Sequence, residues 1–510
     1  MFALVGLSAQ AQITFVKSYG NVSYVFAYSV QQTSDGGYIV SGGYPDYYNG
    51  YSYLIKINAN GDTLWTRTYG NANVHNVGYS VQQTNDGGYV IAGTTESSTS
   101  GPSHVYLIKT NSTGDTLWTR CYGSTGSDYG YSVKQTNDNG FIIAGATDSL
   151  GAGGGDAFLI KTNSIGDTLW TKTYGGDSID VATFVELTTD GGYIFTGYTK
   201  SFGAGGYDVY LIKTDSIGDT LWTKTYGGVN DDQGYSVKQT SDGGYIISGN
   251  YTEHFGGNYY YLIKTNSIGD TLWTKTYNDN SGFNPETAYS VQQTLDGGYI
   301  IAGSSIFAFE GFAQFDLIKT NSTGDTLWTK EYTNGCSYGY SVQQTTDGGY
   351  IIAVGCGNIL LIKTDANGNS GCWQLNPGIT INSFPTQVSN TATIVKSGCL
   401  VSNPSKPVGS GSTVTTDCFS AGINEIKTND NVSIYPNPTS GIFTLSYNSQ
   451  LSILNSQFKI YDVTGREVYT QAINNSTQLT IDISQLSKGI YFYQLTNHSE
   501  TYRGKLVKEN

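Results

Sequence analysis

The sequence contains little charge, little proline and almost no methionine. Only 13% of its 510 residues are charged, with nine prolines and one methionine. Lys and Arg together number 26 against 40 Asp and Glu, giving a net charge of −14. A nucleic-acid-binding protein needs clustered Lys and Arg to neutralise phosphates. This balance therefore argues against nucleic acid as a partner.

Long apolar runs and helical patterns are also missing. No run reaches the roughly 18 residues of a membrane-spanning helix, so we expect no transmembrane segment. No segment repeats its apolar residues every 3.6 positions, as an amphipathic helix would. Hydrophobic residues still make up 38% of the chain, led in number by 42 tyrosines, and 66 glycines accompany them. This composition can bury a core and predicts an all-β protein.

Motifs for metals and catalysis are sparse. No Cys-x-x-Cys motif occurs, the four histidines show no ligand spacing, and no Gly-x-Ser-x-Gly elbow supports a Ser-His-Asp site. We therefore predict neither a metal nor a cofactor. Six cysteines allow 15 pairings, and Cys356 with Cys372 and Cys399 with Cys418 are the pairs we favour from their spacing.

The first residues have the pattern of a secretory signal. An apolar run, Phe2–Leu7, leads into Ala9-Gln10-Ala11, the small-x-small pattern that signal peptidase accepts. We expect residues 1–11 to be a signal peptide whose basic n-region is truncated; the alternative is an ordinary apolar first strand. Export would place the chain in an oxidising compartment, where disulfides are permitted.

A repeat of about 52 residues is the strongest signal in the sequence. Asp-Gly-Gly-Tyr or a close variant begins at Asp35, Asp86, Asp138, Asp190, Asp242, Asp296 and Asp347. Leu-Trp-Thr follows in phase, with tryptophans at Trp65, Trp118, Trp170, Trp222, Trp273 and Trp328 and a degenerate copy at Trp373. Each copy is therefore one structural unit, and there are seven.

Each unit contains four short strand signals, called A to D here. In the fifth copy these are residues 235–240, 244–249, 261–265 and 271–277, separated by Gly-rich and Asn-rich turns suited to A–B and C–D hairpins. Four antiparallel strands repeated seven times predict a seven-bladed β-propeller over residues 12–375. Phe15 occupies the tryptophan position of an isolated D strand, so we expect the N-terminal strand to complete the last blade.

The C–D segment Ile108-Lys-Thr-Asn-Ser-Thr-Gly-Asp-Thr-Leu-Trp118 resembles the tryptophan-docking repeat of quinoprotein-like propellers. In that family a Gly four residues before the Trp lets the indole pack between neighbouring blades. The resemblance implies structural docking roles for Trp65, Trp118, Trp170, Trp222, Trp273 and Trp328. Quinoprotein dehydrogenases also carry a vicinal Cys-Cys pair, which this sequence lacks, so no quinone is expected.

The A–B and C–D turns repeat almost unchanged, whereas the B–C and D–A loops diverge between copies. Recognition loops are free to diverge, so we predict that the face carrying the B–C and D–A loops is the binding face. Aromatic rings beside carboxylates suit polysaccharide, whose hydroxyls donate to acids. The candidate ligand-binding residues are Tyr44, Asp46, Tyr47, Tyr48, Asp128, Asp231, Asp232, Glu253, Tyr259, Tyr260 and Glu286. The alternative is that these residues belong to solvated loops that bind no ligand.

The last residues form a separate unit. Residues 376–430 are rich in Ser and Thr and predict an extended linker with two cysteines, and residues 431–510 show alternating strands that fit a small Ig-like β-sandwich. Tyr-Pro-Asn-Pro, Asp-x-x-Gly-Arg, Leu-x-x-Gly-Ile-Tyr and a terminal Lys-Leu-Val-Lys occur in that order. This tail resembles the type A sorting domain of the Bacteroidetes type IX secretion system. The resemblance assigns to a sorting signal the residues Pro436, Asn437, Pro438, Gly441, Gly465, Gly489, Lys505 and Lys508.

The resemblance implies export through the periplasm to the outer cell surface or medium, with the type IX translocon and its sortase-like processing machinery as partners. Our functional hypothesis is a surface-displayed binding or scaffold module for a polysaccharide or a surface protein, without enzymatic activity. The alternative is a secreted glycan-active hydrolase, endoglucanase-like, that uses central carboxylates. A structural, self-associating surface protein is a third possibility.

Overall fold

The computed structural model describes residues 12–19, 25–44, 50–70, 74–96, 101–253, 257–278, 286–306, 313–332, 338–355, 357–371, 374–375, 380–382, 387–390, 400–402, 408–409, 414–418, 432–435, 437, 439–447, 456–462, 466–473, 478–496 and 501–509. Within these ranges the regular backbone is all β, and no helix is long and apolar enough to cross a membrane. The chain divides into two compact units, Met1–Gly422 and Ile423–Asn510. The expected signal peptide, residues 1–11, lies outside the described residues.

The repeat region consists of short strands that follow the predicted A–B–C–D order. In chain order they are β1 (Phe15–Tyr19), β2 (Phe26–Gln32), β3 (Tyr38–Gly43), β4 (Ser52–Ile57), β5 (Thr63–Tyr69), β6 (Asn76–Gln83), β7 (Tyr89–Glu96), β8 (Ser103–Thr110), β9 (Thr116–Gly123), β10 (Asp128–Gln135), β11 (Phe141–Thr147), β12 (Asp156–Thr162), β13 (Thr168–Tyr174), β14 (Asp180–Leu187), β15 (Tyr193–Thr199), β16 (Asp208–Thr214), β17 (Thr220–Gly227), β18 (Gln233–Gln239), β19 (Tyr245–Thr252), β20 (Asn258–Thr265), β21 (Thr271–Asn278), β22 (Glu286–Gln293), β23 (Tyr299–Ile306), β24 (Ala313–Thr320), β25 (Thr326–Tyr332), β26 (Tyr338–Gln344), β27 (Tyr350–Gly355) and β28 (Ile359–Thr364).

These strands pair as repeated antiparallel groups of four. β2 to β5 form the first group, and each later set of four consecutive strands forms the next, up to β22 to β25. A single bridge between Gly43 and Val77 links the first two groups into one sheet. The A strands contact one another in a closed cycle, with β2 touching both β6 and β26. They therefore surround a central channel.

The last group takes its fourth strand from the N-terminus. β26, β27 and β28 continue into β1, with Phe15 opposite Lys363 and Tyr19 opposite Ile359. Phe15 is fully buried, and the Tyr19 hydroxyl donates to the Gly61 carbonyl of the first group at 2.7 Å. The N-terminal strand thus completes the last group, as the Phe15 position predicts.

Each A–B turn is fixed by a buried lysine. In the fifth unit, Asp242 accepts hydrogen bonds from the Thr240 hydroxyl at 2.6 Å and the Gly244 amide at 2.9 Å. Gly243 has φ +81°, a conformation that a residue with a side chain rarely adopts. The ammonium of Lys264, 4% exposed, lies 2.8 Å from Asp242. The Asp-Gly-Gly motif therefore repeats because its aspartate must neutralise the buried lysine of the C strand in the same unit.

Six further strands run along the outer edges of the repeat sheets. We name this segment, residues 374–418, the belt. It pairs antiparallel with the outer strand of the sixth, fifth, fourth, second, first and last units in turn. Its strands are β29 (Gln374–Leu375), β30 (Thr380–Asn382), β31 (Gln387–Asn390), β32 (Leu400–Ser402), β33 (Val408–Gly409) and β34 (Val414–Cys418).

The sequence predicted a plain extended connector over residues 376–430. The strands are extended, but their backbone pairs with the repeat sheets, and the division between the compact units falls after Gly422. The expected disulfides rest on cysteine side chains outside the described residues. The Cys121 side chain is described and is buried.

The C-terminal unit contains two antiparallel sheets around one core. Its strands are β35 (Val432–Tyr435), β36 (Ile442–Tyr447), β37 (Ser456–Tyr461), β38 (Glu467–Ile473), β39 (Gln478–Asp482), β40 (Gly489–Thr496) and β41 (Thr501–Lys508). One sheet has the order β35-β36-β39 and the other β38-β37-β40-β41. Phe443 and Ile481 from the first sheet and Phe458 and Leu495 from the second are buried in the same cluster.

Candidate functional site: the central channel

An arc of tyrosines lines the channel at one level of the A strands. The residues are Tyr28, Tyr79, Tyr131, Tyr235, Tyr289 and Tyr340, one from each unit except the fourth. Neighbouring ring centroids lie 4.9–5.5 Å apart along the order Tyr131, Tyr79, Tyr28, Tyr340, Tyr289, Tyr235. All six rings are partly exposed. Burial raises the pKa of Tyr289 to about 12, so its hydroxyl stays protonated and can donate.

A ring of serines lies one residue further along the same strands. Five of the six hydroxyls, all except that of Ser236, accept the backbone amide of the next unit's valine, for example from Val133 to Ser80 and from Val185 to Ser132, both at 3.2 Å. The Val30 amide likewise reaches Ser341 of the last unit at 3.4 Å. These serines therefore hold neighbouring A strands in register around the channel.

The fourth unit breaks both rings. Thr183 replaces the tyrosine, and Phe184 replaces the serine. The Thr183 hydroxyl donates to the carbonyls of Thr196 at 3.1 Å and Gly234 at 2.8 Å, so it is held inside the wall and leaves a gap in the tyrosine arc. This unit also has Glu186 where most copies have Gln or Lys.

Two lysines flank that glutamate. Lys134 of the third unit lies 3.4 Å from Glu186, and Lys238 of the fifth unit donates to the same carboxylate oxygen. Both ammonium groups also face the Phe184 ring, 5.2 and 4.9 Å from its centroid. Burial alone would raise the pKa of Glu186, but the two lysines hold it at about 2. Burial lowers the pKa of Lys134 to about 8, although Glu186 opposes that shift.

Two adjoining cavities occupy the channel. The outer chamber, about 350 Å³, is bounded by the tyrosine arc and extends at the fourth and fifth units to Val181, Thr183, Tyr198 and Gln233. The inner chamber, about 200 Å³, is lined by serines, glutamines, Lys134 and Lys238. Phe184 lines both chambers. The outer chamber therefore reaches beyond the arc on the side where Thr183 leaves the gap.

The predicted ligand-binding residues are spread over the B–C and D–A loops. Asp46, Tyr47 and Tyr48 lie outside the described residues. Tyr44 is partly buried and packs against the core of the first and last units. None of the described members lines either channel chamber.

Several of the predicted acids serve the loops themselves. Asp128 accepts the Ser124 amide at 2.8 Å, and Asp232 accepts the amides of Gly228 at 2.7 Å and Thr252 at 2.9 Å. Both are almost fully buried, as is Glu286. Burial raises the pKa of Asp232 to about 7, assisted by neighbouring carboxylates. Asp231 is exposed, and its carboxylate accepts the Tyr207 amide at 2.9 Å.

The remaining candidates form hydrogen bonds within the fifth unit or with the sixth. The Tyr259 hydroxyl donates to Glu253 at 2.7 Å, and the buried Tyr260 hydroxyl donates to Asp316 at 2.5 Å. Tyr260 is 2% exposed. The proton of each hydroxyl is therefore already donated to a carboxylate.

The six tryptophans lie on the outer D strands, each against the next unit. A Cβ atom on Gly114 would lie 2.6 Å from the Trp65 ring, and Gly166 relates to Trp118 in the same way at 2.7 Å. The contact recurs for Trp170, Trp222, Trp273 and Trp328 with Gly218, Gly269, Gly324 and Gly368. Phe15 meets Gly61 of the first unit at 2.9 Å. The glycine is required because no side chain fits under the ring.

In the tail, the described motif residues support the end of the chain. Asn437 accepts the Val507 amide at 2.9 Å, and Lys508 donates to the carbonyls of Ser484 and Leu486. Gly441 and Gly489 have φ of +132° and +156°. Lys505 lies in β41, whereas Pro436, Pro438 and Gly465 lie outside the described residues.

The channel residues were missed by the loop-based prediction. The A strand repeats Tyr-Ser-Val-Gln/Lys-Gln in six copies but is Thr183-Phe-Val-Glu-Leu187 in the fourth. The fourth copy thus differs at four of five positions in a strand that is otherwise constant. This difference was the sequence signal that could have pointed to the channel.

Comparisons with known proteins support an export function for the tail. Residues 433–509 match the family model described as secretion system C-terminal sorting domain. The chain is therefore cargo of the type IX secretion system, exported to the cell surface or secreted, and the secretion machinery handles its tail.

Matches to the rest of the chain are weaker. A regulatory protein, FlaEY, from Caulobacter vibrioides is 28% identical over 157 residues, covering 26% of this chain and 16% of its own length. The chain thus spans about a sixth of that relative. The WD40 β-propeller domain of Doa1 aligns over 69% of this chain and 97% of its own, with 13% identity and a TM-score of 0.43. The extracellular domain of a hybrid two-component system, BT3049 from B. thetaiotaomicron, covers 94% and 84% with 9% identity and a TM-score of 0.17.

Proposed function

We propose that this exported protein is a surface-displayed binding module that takes a saccharide into the outer chamber of its channel. The arc of six tyrosines around a cavity of about 350 Å³ carries the proposal. Tyrosine presents an apolar face that stacks on the C–H face of a sugar and a hydroxyl that bonds to sugar hydroxyls. The gap at Thr183 enlarges the chamber beyond what a complete ring of seven would leave.

The proposal places the ligand in a rigid scaffold. We propose that the seven four-stranded units are the blades of a closed seven-bladed propeller, that the six tryptophans dock neighbouring blades, and that the C-terminal unit is an Ig-like sandwich. In support, the outer-strand tyrosine of each unit donates to the C–D turn glycine of the next, from Tyr69 to Gly114 through Tyr332 to Gly368. Tyr19 to Gly61 joins the last unit to the first. Binding sites on rigid elements keep their geometry without paying ordering entropy.

The A-strand tyrosines lie towards the D–A loop end of their strands, because the A–B turn follows the glutamines. The outer chamber is therefore on the side of the B–C and D–A loops, where we predicted the binding face. Of the loop candidates, the exposed Asp231 remains available to extend the contact with a longer ligand.

Hydrolysis is the less favoured function for this channel. A glycosidase needs two carboxyl groups about 5–9.5 Å apart. Among the described residues that line the two chambers, none is Asp or Glu. Glu186 contacts Lys134 and Lys238 but lines neither chamber. Its pKa of about 2 keeps it ionised, so it cannot act as a general acid near neutral pH.

Binding can be tested with a panel of polysaccharides and isothermal titration calorimetry. We expect Tyr79→Ala and Tyr289→Ala each to weaken binding about threefold to tenfold, the loss of one stacking contact. Thr183→Tyr introduces the residue found in the other six units and should fill the gap in the arc. Because it reduces the space for the ligand, it should weaken binding more than either alanine variant. Release of reducing sugar is measured in the same samples, and its appearance would favour the hydrolase instead.

The matched control is Tyr435→Ala, because Tyr435 is 79% exposed in the C-terminal unit and outside the channel. It should bind like the unaltered protein. Equal binding by the control, the two alanine variants and Thr183→Tyr would remove the channel as the binding site. Failure of every polysaccharide to bind would remove the saccharide function.

A further inference from the structure

The inner chamber has an unusual charge for this acidic protein. Its described lining residues are serines, valines, four glutamines, Phe184 and two lysines, and none of them is acidic. Lys134 and Lys238 are 19% and 28% exposed, so their ammonium groups are partly removed from bulk water. A chain with a net charge of −14 thus places two cations and no anion on the wall of one cavity.

The nearest acid, Glu186, balances only one of the two lysine charges. Glu186 bonds both lysines but does not line the inner chamber, so the three side chains together carry one net positive charge. A cation in a cavity of low dielectric is costly without an anion beside it. The chamber is therefore favourable for one negative group.

Comparison of the repeats shows that this cluster is a local specialisation. The equivalent positions of four other units are Gln31, Gln82, Gln292 and Gln343, which share the chamber wall. An uncharged glutamine is therefore compatible with the fold at this position. The lysines occur only in the units on either side of the divergent fourth unit, beneath the gap at Thr183.

Resting on the proposed saccharide function, we propose that the ligand is an acidic saccharide whose carboxylate enters the inner chamber and pairs with Lys134 and Lys238. The sugar ring stacks on the tyrosines of the outer chamber, and Phe184 lies at the junction, since it lines both. The four glutamine amides around the chamber can donate to the remaining carboxylate lone pairs.

The experiment compares uronic-acid polysaccharides with their own methyl esters, which keep the sugar skeleton and lose the charge. The probes are polygalacturonate, alginate and hyaluronate, each titrated into the full chain by calorimetry at 50 and 300 mM salt. We expect at least one acidic polymer to bind tenfold or more tightly than its ester, with an affinity that falls as salt rises.

Substitutions to glutamine provide matched variants. The triple variant K134Q/E186Q/K238Q gives an uncharged chamber like that of the other units, and should bind the acid and its ester equally. E186Q alone removes the acid that competes with the ligand for both lysines; titrated at pH 6, so that Lys134 stays protonated without it, this variant should bind the acid more tightly but not the ester. Circular dichroism and melting curves show whether each variant is folded; if the triple variant does not fold, E186Q and the salt series decide.

Three results overturn the inference. An ester that binds as tightly as its acid refutes the role of charge but leaves a saccharide site in place. An acid preference that survives in the triple variant assigns the charge recognition elsewhere. If neither acids, esters nor neutral polysaccharides bind, the proposed function fails together with this inference.

Discussion

At the scale of single residues, two carboxylates meet across one glycine between the fourth and fifth units. A Cβ atom on Gly227 would lie 2.3 Å from Asp208 Oδ1 and 2.6 Å from Asp232 Oδ2. Both acids are essentially inaccessible to solvent. Burial raises the pKa of Asp208 to about 6 and that of Asp232 to about 7, and the Asp208 charge adds to the shift of Asp232.

This pair predicts a stability that falls as pH rises. The pKa values in the folded state exceed the value of about 3.9 for an unfolded Asp. The pair's contribution is therefore complete below about pH 4 and is lost as pH rises through 6 and 7. We expect the melting temperature to fall between pH 5 and pH 8, and Asp208→Asn to flatten that dependence by removing one charge.

Calorimetric melting curves at pH 5, 6, 7 and 8 would measure this. Asp177→Asn is the control, since Asp177 is an exposed acid in the loop between the third and fourth units. It should keep the pH dependence of the unaltered protein. A flat profile in the unaltered protein would show that the two acids do not titrate in this range.

Residue spacing alone predicted some contacts and missed others. The Gly-to-Trp interval found the indole contacts because a ring over a glycine needs a fixed register on adjacent strands. The channel was missed because constant residues on an inner strand look the same in sequence whether they pack a core or line a cavity. The sequence marks Asp128 and Asp232 as loop acids, but it does not show that their carboxylates accept backbone amides.

At the scale of elements, β1 joins the two ends of the repeat region. It pairs with β28, and Lys17 reaches Asp62 of the first unit at 2.8 Å. Phe15 has 0% exposure at the position of the docking tryptophans. The strand therefore contributes both a ladder to the last unit and side-chain contacts to the first.

We predict that deleting residues 12–20 lowers the melting temperature by many degrees. Phe15→Ala should cost about 3–5 kcal/mol, the range for removing a buried aromatic side chain. Phe15→Trp should be tolerated far better, because tryptophan fills this position in the other units. Urea unfolding gives the free energies, and an unchanged midpoint in the deletion would show that β1 does not hold the ring.

The belt leads to a second prediction at this scale. Its strands pair through the backbone with outer strands that otherwise present unpaired N–H and C=O groups. We expect a chain ending at residue 372 to melt below one ending at residue 422 and to exchange outer-strand amide hydrogens faster. Native-state hydrogen exchange on β17 and β21 is the direct measurement.

β13 provides the internal control for the belt. Within the described residues it is the fourth strand of its sheet and has no belt strand beside it. Its exchange should therefore change less than that of β17 on truncation. Equal protection in both chains at every outer strand would exclude a stabilising role for the belt.

The repeated strands were predictable from sequence, whereas the belt was not. A run of Tyr, Ile and Val residues between Gly-rich turns marks a strand that is buried in a core, as in residues 244–249, whose strand is buried from Tyr245 to Asn250. A belt strand pairs through its backbone with an existing edge, and backbone pairing requires no such pattern. Ser-rich and Thr-rich residues 376–430 consequently indicated extended chain without indicating its partner.

At the scale of the whole molecule, export depends on the C-terminal unit, whose core is independent of the repeats. Its two sheets bury Phe443, Phe458 and Leu506 in a cluster of their own. Residues 433–509 match the sorting-domain family, so the exported cargo and its sorting signal are separate folded bodies. We therefore expect the tail to direct export of another protein as well.

We predict that a periplasmic reporter carrying residues 423–510 reaches the outside of a type IX-competent host. Removing the same residues from this chain should leave it in the periplasm. Lys508→Ala removes two bonds to the Ser484 and Leu486 carbonyls and tests whether the anchored end is needed. Fractionation with immunodetection measures each, using a host without the secretion system as the control; export of the tailless chain would contradict the prediction.

The course of the belt has a consequence if the tail is cut from the exported chain. After pairing with five of the other six units it ends at Cys418 beside β1, so the N-terminal strand and the end of the belt lie in the same sheet. A proteolytic cut between residues 418 and 432 would fall between the described strands of the two units and would remove none of them. After such a cut outside the cell, the repeat sheets would keep both β1 and the belt.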